Sequence, residues 1–173
     1  IAAALLKAGV VDSSGRMKTP EQKENLQTSV ADRLLLIDDQ PLFNIAEGVS
    51  FTQADIRQVQ LAKGAIRTGI DMLLAEANLT PQDLEDITLA GAFGYHLRPD
   101  SLATIGLIPD KLARKVRFAG TTSKTGCAMM LIDASLRKYL EEQVQRVEHL
   151  PLAEKMSFQD LFIENLNFPD SDS

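Results

Sequence analysis

Two short glycine-bearing runs carry the residue types that could hold a charged or flat ligand. The first, Gly91, Ala92, Phe93 and Gly94, follows the apolar run 87–90 (Ile-Thr-Leu-Ala). The second, 120–126 (Gly-Thr-Thr-Ser-Lys-Thr-Gly), follows 115–119 (Lys-Val-Arg-Phe-Ala). Glycine admits a ligand to the backbone where a Cβ would block it, and N–H groups at such turns attract anions. Beside Gly120, the second run adds four hydroxyls, on Thr121, Thr122, Ser123 and Thr125, and the Lys124 ammonium. In α/β sheets, ligands gather at the carboxyl ends of strands, where these runs fall. A nucleotide phosphate or base is the ligand they suit. Glycine also ends strands in domains that bind nothing, and neither run has P-loop or dinucleotide spacing.

Other reactive side chains have plainer explanations. His96, two residues past Gly94, could touch a ligand or partner, but a lone loop histidine is ordinarily a surface residue. Lys63 falls on the polar side of a helical pattern and reads as solvated or salt-bridged. Asp55 reads as a helix cap. Cys127 opens an apolar helix and would react only if that helix end lowered its pKa while leaving it exposed, so a buried, inert thiol is expected. Met129 and Met130 read as core filling. One cysteine and two histidines cannot make an internal disulfide, an iron–sulfur site or a zinc site, so no metal is expected on this chain.

The totals bound the partners. With 173 residues and 45% hydrophobic content the chain matches one ordinary domain with a real core. A formal charge of -6 argues against a phosphate-backbone binder, so no nucleic acid is expected. No apolar run approaches the roughly 20 residues that span a bilayer, so no membrane is expected and the cytoplasm is the default location. The apolar start at Ile1, without a methionine, suggests a C-terminal piece of a longer multidomain protein.

The elements that must position these residues follow from pattern. Residues 1–11 form a short apolar helix stopped at Gly9. Residues 13–32 are polar and without apolar period, which predicts a mobile loop. Runs 33–37 and 42–45 flank a turn holding Asp38 and Asp39, which predicts a hairpin. From Thr52, a capping box with Asp55 opens the longest helix, whose inward series is Ile56, Val59, Ala62, Ile66, Ile70, Leu73 and Ala77. Gly64 and Gly69 within it each cost about 1 kcal/mol relative to Ala in an exposed helix, so a neighbour is expected to approach closely there. A short helix begins at Pro81 with Thr80 as cap. Strands 87–90 and 115–119 are separated by a helix over 98–105. A helix from about Cys127 to Gln145, a short strand at 147–150, a closing helix over 157–166 and a loose tail at 169–173 complete the chain. Alternation of strands and helices after residue 50 points to an α/β fold with a parallel or mixed sheet covered by helices.

Four runs carry a resemblance. Residues 51–66 (Phe-Thr-Gln-Ala-Asp-Ile-Arg-Gln-Val-Gln-Leu-Ala-Lys-Gly-Ala-Ile), 89–94, 105–109 (Ile-Gly-Leu-Ile-Pro) and 116–120 (Val-Arg-Phe-Ala-Gly) are similar to the C-terminal region of ATP-dependent reductive activators of corrinoid proteins. These are ferredoxin-fused members of the acetate and sugar kinase, Hsc70 and actin superfamily. The similarity runs from the first helix to Phe168. It implies an actin-like, ribonuclease H-like C-terminal subdomain. The turn at Gly91, Ala92, Phe93 and Gly94 would then lie against adenosine or phosphate, with Gly120, Thr121 and Thr122 nearby. It further implies ATP or ADP with Mg in the full-length protein, an iron–sulfur cluster in an N-terminal module, and a corrinoid protein as partner, with a homodimer compatible. The implied activity returns Co(II) corrinoid proteins to Co(I).

The chain departs from the family in two ways. The iron–sulfur module and the first actin-like subdomain are absent, and the family's second phosphate loop would precede Ile1. Residues 121–125 (Thr-Thr-Ser-Lys-Thr) stand where relatives commonly carry a small, alanine-rich turn. This chain by itself is therefore expected to be inactive. A noncatalytic interaction or dimerisation domain is the alternative, and an activator of a radical-type acyl-CoA dehydratase is a weaker one because its bridging cysteines are missing.

Overall fold

A computed structural model describes residues 1–170, and for Phe93 and Tyr95 the backbone alone. The chain opens with α1 (Ala2–Lys7), which buries Ala2, Ala3 and Leu5 and ends two residues before Gly9, with Ala8 as its C-cap. An isolated bridge between Val11 and Met17 folds residues 12–16 into a turn, where the Asp12 carboxylate accepts from Ser14 Oγ and from the Arg16 N–H. Residues 13–32, which lack an apolar period, nonetheless hold a 3-10 turn at Pro20–Gln22 and a short helix α2 (Thr28–Ala31). Met17 and Ala31 anchor them, both buried. Isolated buried residues among polar ones leave no periodicity to read.

Three strands, β1 (Leu34–Ile37), β2 (Gln40–Ala46) and β3 (Val49–Thr52), form an antiparallel sheet in that order. The two-residue turn between β1 and β2 places Asp38 at φ 49 and Asp39 at φ 60, a left-handed pair that short polar side chains tolerate. Strand β3 is an addition to the expected hairpin. Its four residues run straight into the helix cap, so they offer no separate signal.

The long helix α3 (Gln53–Glu76) begins with the expected box. Thr52 Oγ1 accepts the Asp55 N–H at 3.2 Å and the Asp55 carboxylate accepts the Thr52 N–H at 2.8 Å. Two bonds donated to that carboxylate by Thr52, first from its backbone N–H and then from its hydroxyl at 2.7 Å, hold the Asp55 carboxyl below the usual aspartate range. Beyond α3 come a capped 3-10 turn (Pro81–Asp83), β4 (Ile87–Ala90), a 3-10 turn (Phe93–His96), α4 (Pro99–Thr104), a 3-10 segment (Asp110–Lys115) and β5 (Val116–Gly120). Helices α5 (Thr122–Ile132), α6 (Ser135–Val144) and α7 (Ser157–Glu164) follow.

Two expectations in this half are corrected. A single helix from Cys127 to Gln145 is instead two, starting five residues earlier and broken at Asp133, whose carboxylate accepts from the N–H and Oγ of Ser135. Residues 147–150 carry no strand. Four residues of mixed polarity have no partner edge among the described residues, and a strand exists only by pairing.

The expected inward series of α3 is also corrected. Ile56 is buried, but Ile66 and Leu73 are about half exposed, and the face that meets α7 and the C-terminal residues holds Gln60, Lys63, Gly64, Thr68 and Met72. Lys63, expected on the solvated side, is 3% exposed. Backbone carbonyls packed against a helix need donors, so a polar stripe can be the buried one. The close approach expected at Gly64 is present: a Cβ there would lie 3.2 Å from Asn165 O and 3.3 Å from Phe162.

Two buried clusters organise the packing. One joins Ala2, Leu5, Val10, Val11, Met17, Leu34, Ile56 and Phe168, so the C-terminal end plugs a core made by the first third of the chain. The other joins Leu102, Ala103, Ile108 and Ala113, with Ile87, Leu89 and Val116 against it, and seats β4 and β5 on α4. Deleting the ring that bridges the two ends of the chain should be costly. Phe168→Ala should lower unfolding free energy by about 3–5 kcal/mol in urea titrations, whereas a loss below about 1 kcal/mol would show that Phe168 is not structural core.

Candidate functional site

Strands β4 and β5 run parallel, pairing Ile87 with Val116, Thr88 with Arg117 and Leu89 with Phe118 before a register shift brings Ala90 opposite Gly120. Ile87, Leu89 and Val116 face the α4 core, and the rest of β4 and most of β5 are exposed. Both strands therefore stop at one edge. There the Gly91 N–H donates to Gly120 O at 2.7 Å, joining the two expected glycine turns into one surface.

Both glycines are left-handed, Gly91 at φ 104 and Gly120 at φ 65. A Cβ at either position would meet no atom within 4 Å. The surface above them is open, so their identity answers the backbone conformation and leaves room for something to lie on the peptide planes. Gly94 is buried against Leu89, and the Leu97 N–H bonds to Gly94 O as the chain turns into α4, with Pro99 in its first turn. Ala92 is exposed, and the Phe93 side chain lies outside the described residues.

On the other side, the expected loop from Gly120 to Gly126 is corrected: helix α5 begins at Thr122, with Thr121 as its N-cap residue. The Thr121 side chain makes no capping bond, no acidic residue lies in the first turn, and the Thr125 N–H closes back on Thr121 O at 3.3 Å. The first N–H groups of a helix have no partner inside it, and its dipole adds partial positive charge. Thr121, Thr122, Ser123, Lys124 and Thr125 are exposed around this end. The seven residues singled out from the sequence thus fall on one edge. A flat group could rest on the glycine peptides and an anion could face the α5 end.

Two readings of nearby residues change and one stands. Cys127 is exposed rather than buried. Met129 is about half exposed, and Leu131 and Ile132 are 79% and 87% exposed. An apolar helix usually signals burial, but here nothing among the described residues covers it. His96 is exposed, as a loop histidine should be. The feature that sequence reasoning missed is the helical start at Thr122, hidden because hydroxyl residues and Gly126 are poor helix formers taken singly.

Among the described residues no three His, Cys, Asp or Glu side chains cluster to hold a metal, and no helix is long and apolar enough to cross a membrane.

Comparison with known proteins bears on this edge. Residues 1–173 match a family model described as the C-terminal domain of RACo, the ASKHA domain. The chain is 32% identical over 123 residues to the corrinoid activation enzyme RamQ of Eubacterium limosum, covering 71% of this chain and 21% of that protein. It is 23% identical over 125 residues to the [Co(II) methylated amine-specific corrinoid protein] reductase of Methanosarcina barkeri, covering 72% and 23%. Among solved structures, a reductive activator for corrinoid, iron-sulfur protein superposes with a TM-score of 0.82 at 26% identity over 99% of this chain and 27% of that one. The chain spans about a fifth to a quarter of the length of these relatives. The match over its whole length and the superposition over nearly all of it place this chain in the family of the RACo C-terminal ASKHA domain.

Proposed function

We propose that this chain supplies one wall of the nucleotide cleft of an ATP-dependent reductive activator that returns Co(II) corrinoid proteins to Co(I). The observation that carries the reading is the hydrogen bond from the Gly91 N–H to Gly120 O, which sets two open, left-handed glycines side by side next to the start of α5. Relatives named for corrinoid activation and Co(II) corrinoid protein reduction support it, as does the solved reductive activator.

The residues present fit a nucleotide. Gly91, Ala92 and Phe93 would take the adenosine or phosphate side, with Gly94, buried against Leu89, holding the turn behind them. Gly120, Thr121 and Thr122 would face the phosphates through N–H and hydroxyl groups, and ATP binding would bias the arrangement of the surrounding domains. The same residues do not fit Mg, since among the described residues no three carboxylates cluster to hold a metal, nor an iron–sulfur cluster, since Cys127 is the single thiol. Those groups and the ferredoxin-type electron source belong to other parts of such a protein, in the cytoplasm, with a corrinoid protein as the acceptor.

The exposed apolar side of α5 favours a second reading, a noncatalytic interaction or dimerisation domain. The two readings separate by titration. In the intact protein, Gly91→Val should weaken ATP binding by at least about tenfold, a change of 1.4 kcal/mol, in isothermal titration. No atom stands within 4 Å of the added Cβ, but φ 104 strains a valine, so the loss reports a blocked ligand only where the variant's urea unfolding curve matches the wild type. Unchanged affinity in that variant would sink the nucleotide reading, and no ATP binding by the wild type together with a stable dimer would favour the second. The 173-residue chain alone should show no ATP-dependent reduction of a Co(II) corrinoid protein by absorbance, and turnover by it would contradict the partial-cleft assignment.

A further inference from the structure

Two cations of α3 stand at the C-terminal end of α4. Lys63 Nζ donates to Asn167 O and lies 3.6 Å from where a Cβ of Gly106 would stand. Arg67 makes the direct contact: its Nη1 donates to Gly106 O at 3.4 Å while its Nε holds both carboxylate oxygens of Asp71 at 2.9 Å. Asp71 accepts in turn from Asn165 Nδ2 at 3.1 Å, and the same nitrogen reaches Thr68 Oγ1 at 3.2 Å.

The backbone at Gly106 calls for such a donor. Gly106 is left-handed at φ 73, and its N–H and that of Leu107 close back on Ala103 O and Leu102 O as α4 ends. Carbonyls at a helix C-terminus carry partial negative charge, which a cationic donor suits. Among the described residues Arg67 is the side chain that reaches Gly106 O. Packing between α3 and α4 is interrupted here, since Arg67, Ala103, Thr104 and Gly106 line a cleft of about 860 Å3 whose other walls include α1. Ile105 ties α4 to the first core by apolar contact, and Arg67 spans the gap.

From Gly106 the contacts lead to the glycine edge. Helix α4 buries Leu102 and Ala103 in the second core, Leu89 packs against that core, and Gly94 lies against Leu89. At the other end of the helix, the Leu97 N–H donates to Gly94 O as the chain enters α4.

We propose that Arg67 is a positioning residue for the nucleotide edge: its guanidinium fixes α4 against α3, and α4 fixes the turn at 91–94 through Leu89 and Gly94. The effect on ATP rests on the nucleotide reading above, whereas the effect on the turn does not. A guanidinium can hold a carboxylate with one nitrogen and a carbonyl with another in one planar group, which a single ammonium cannot reproduce.

In the intact protein, Arg67→Met keeps an apolar stem and removes the donors. ATP affinity in isothermal titration should fall by roughly fivefold or more, and in the ligand-free protein the amides of Gly94 and Leu97 should shift. Arg67→Lys should do the same to a smaller extent. Asn165→Ala, which breaks the network on the side away from Gly106, should lower the urea midpoint and leave ATP affinity and those two amides as in the wild type. That contrast separates positioning from stability alone. Unmoved Gly94 and Leu97 amides in Arg67→Met, or equal losses of ATP affinity in Arg67→Met and Asn165→Ala, would overturn the proposal. A wild type that binds no ATP defeats the nucleotide reading, and the ligand-free amides then decide the role of Arg67 by themselves. If Arg67→Met does not fold, Arg67→Lys is judged by the same two measurements.

Discussion

Two parallel strands that end together impose the constraint on which the candidate site depends. Because β4 and β5 stop at one edge, the backbone beyond them must turn twice within hydrogen-bonding distance. The bond from the Gly91 N–H to Gly120 O is how the turns meet. Left-handed backbone at both positions follows, glycine follows from that, and a surface free of side chains follows from glycine. The edge is held from below by one small core. Leu102, Ala103, Ile108 and Ala113 seat both strands on α4, so the packing of that helix fixes how the first turn is presented.

The opposite face of the same strands explains the character of α5 and α6. Parallel sheets are ordinarily covered on both faces. Here one face rests on α4, while Thr88, Ala90 and the middle of β5 are exposed and α5 buries no residue. Leu131 and Ile132 stand out to water at a density that an isolated soluble surface seldom carries. The first third of the chain is different in kind. There α1, β1, α3 and Phe168 share one closed core, and the buried donors of α3 satisfy the carbonyls that cross it.

Local chemistry made much of this legible from the sequence. The Thr52 and Asp55 box, the Gly9 stop, the Asp38 and Asp39 turn and the close approach at Gly64 each have a short-range cause, and each is present. The two glycine turns were legible as neighbours of strands, but their joining by one hydrogen bond depends on pairing between residues thirty apart. Lys63 was misread because helical periodicity counts apolar residues, and the buried face of α3 is chosen by carbonyls from residues a hundred positions away. Cys127 and Met129 differ from expectation for the converse reason: an apolar helix implies a cover that the described residues do not supply.

The account turns on where a nucleotide meets this chain. The direct measurement is the backbone amide spectrum of the intact protein, segmentally labelled over these 173 residues, with and without a non-hydrolysable ATP analogue. The amides of Gly91, Gly94, Gly120, Thr121 and Thr122 should shift most, with those of α7 unmoved. Saturating binding that leaves the Gly91 and Gly120 amides unshifted would contradict the account.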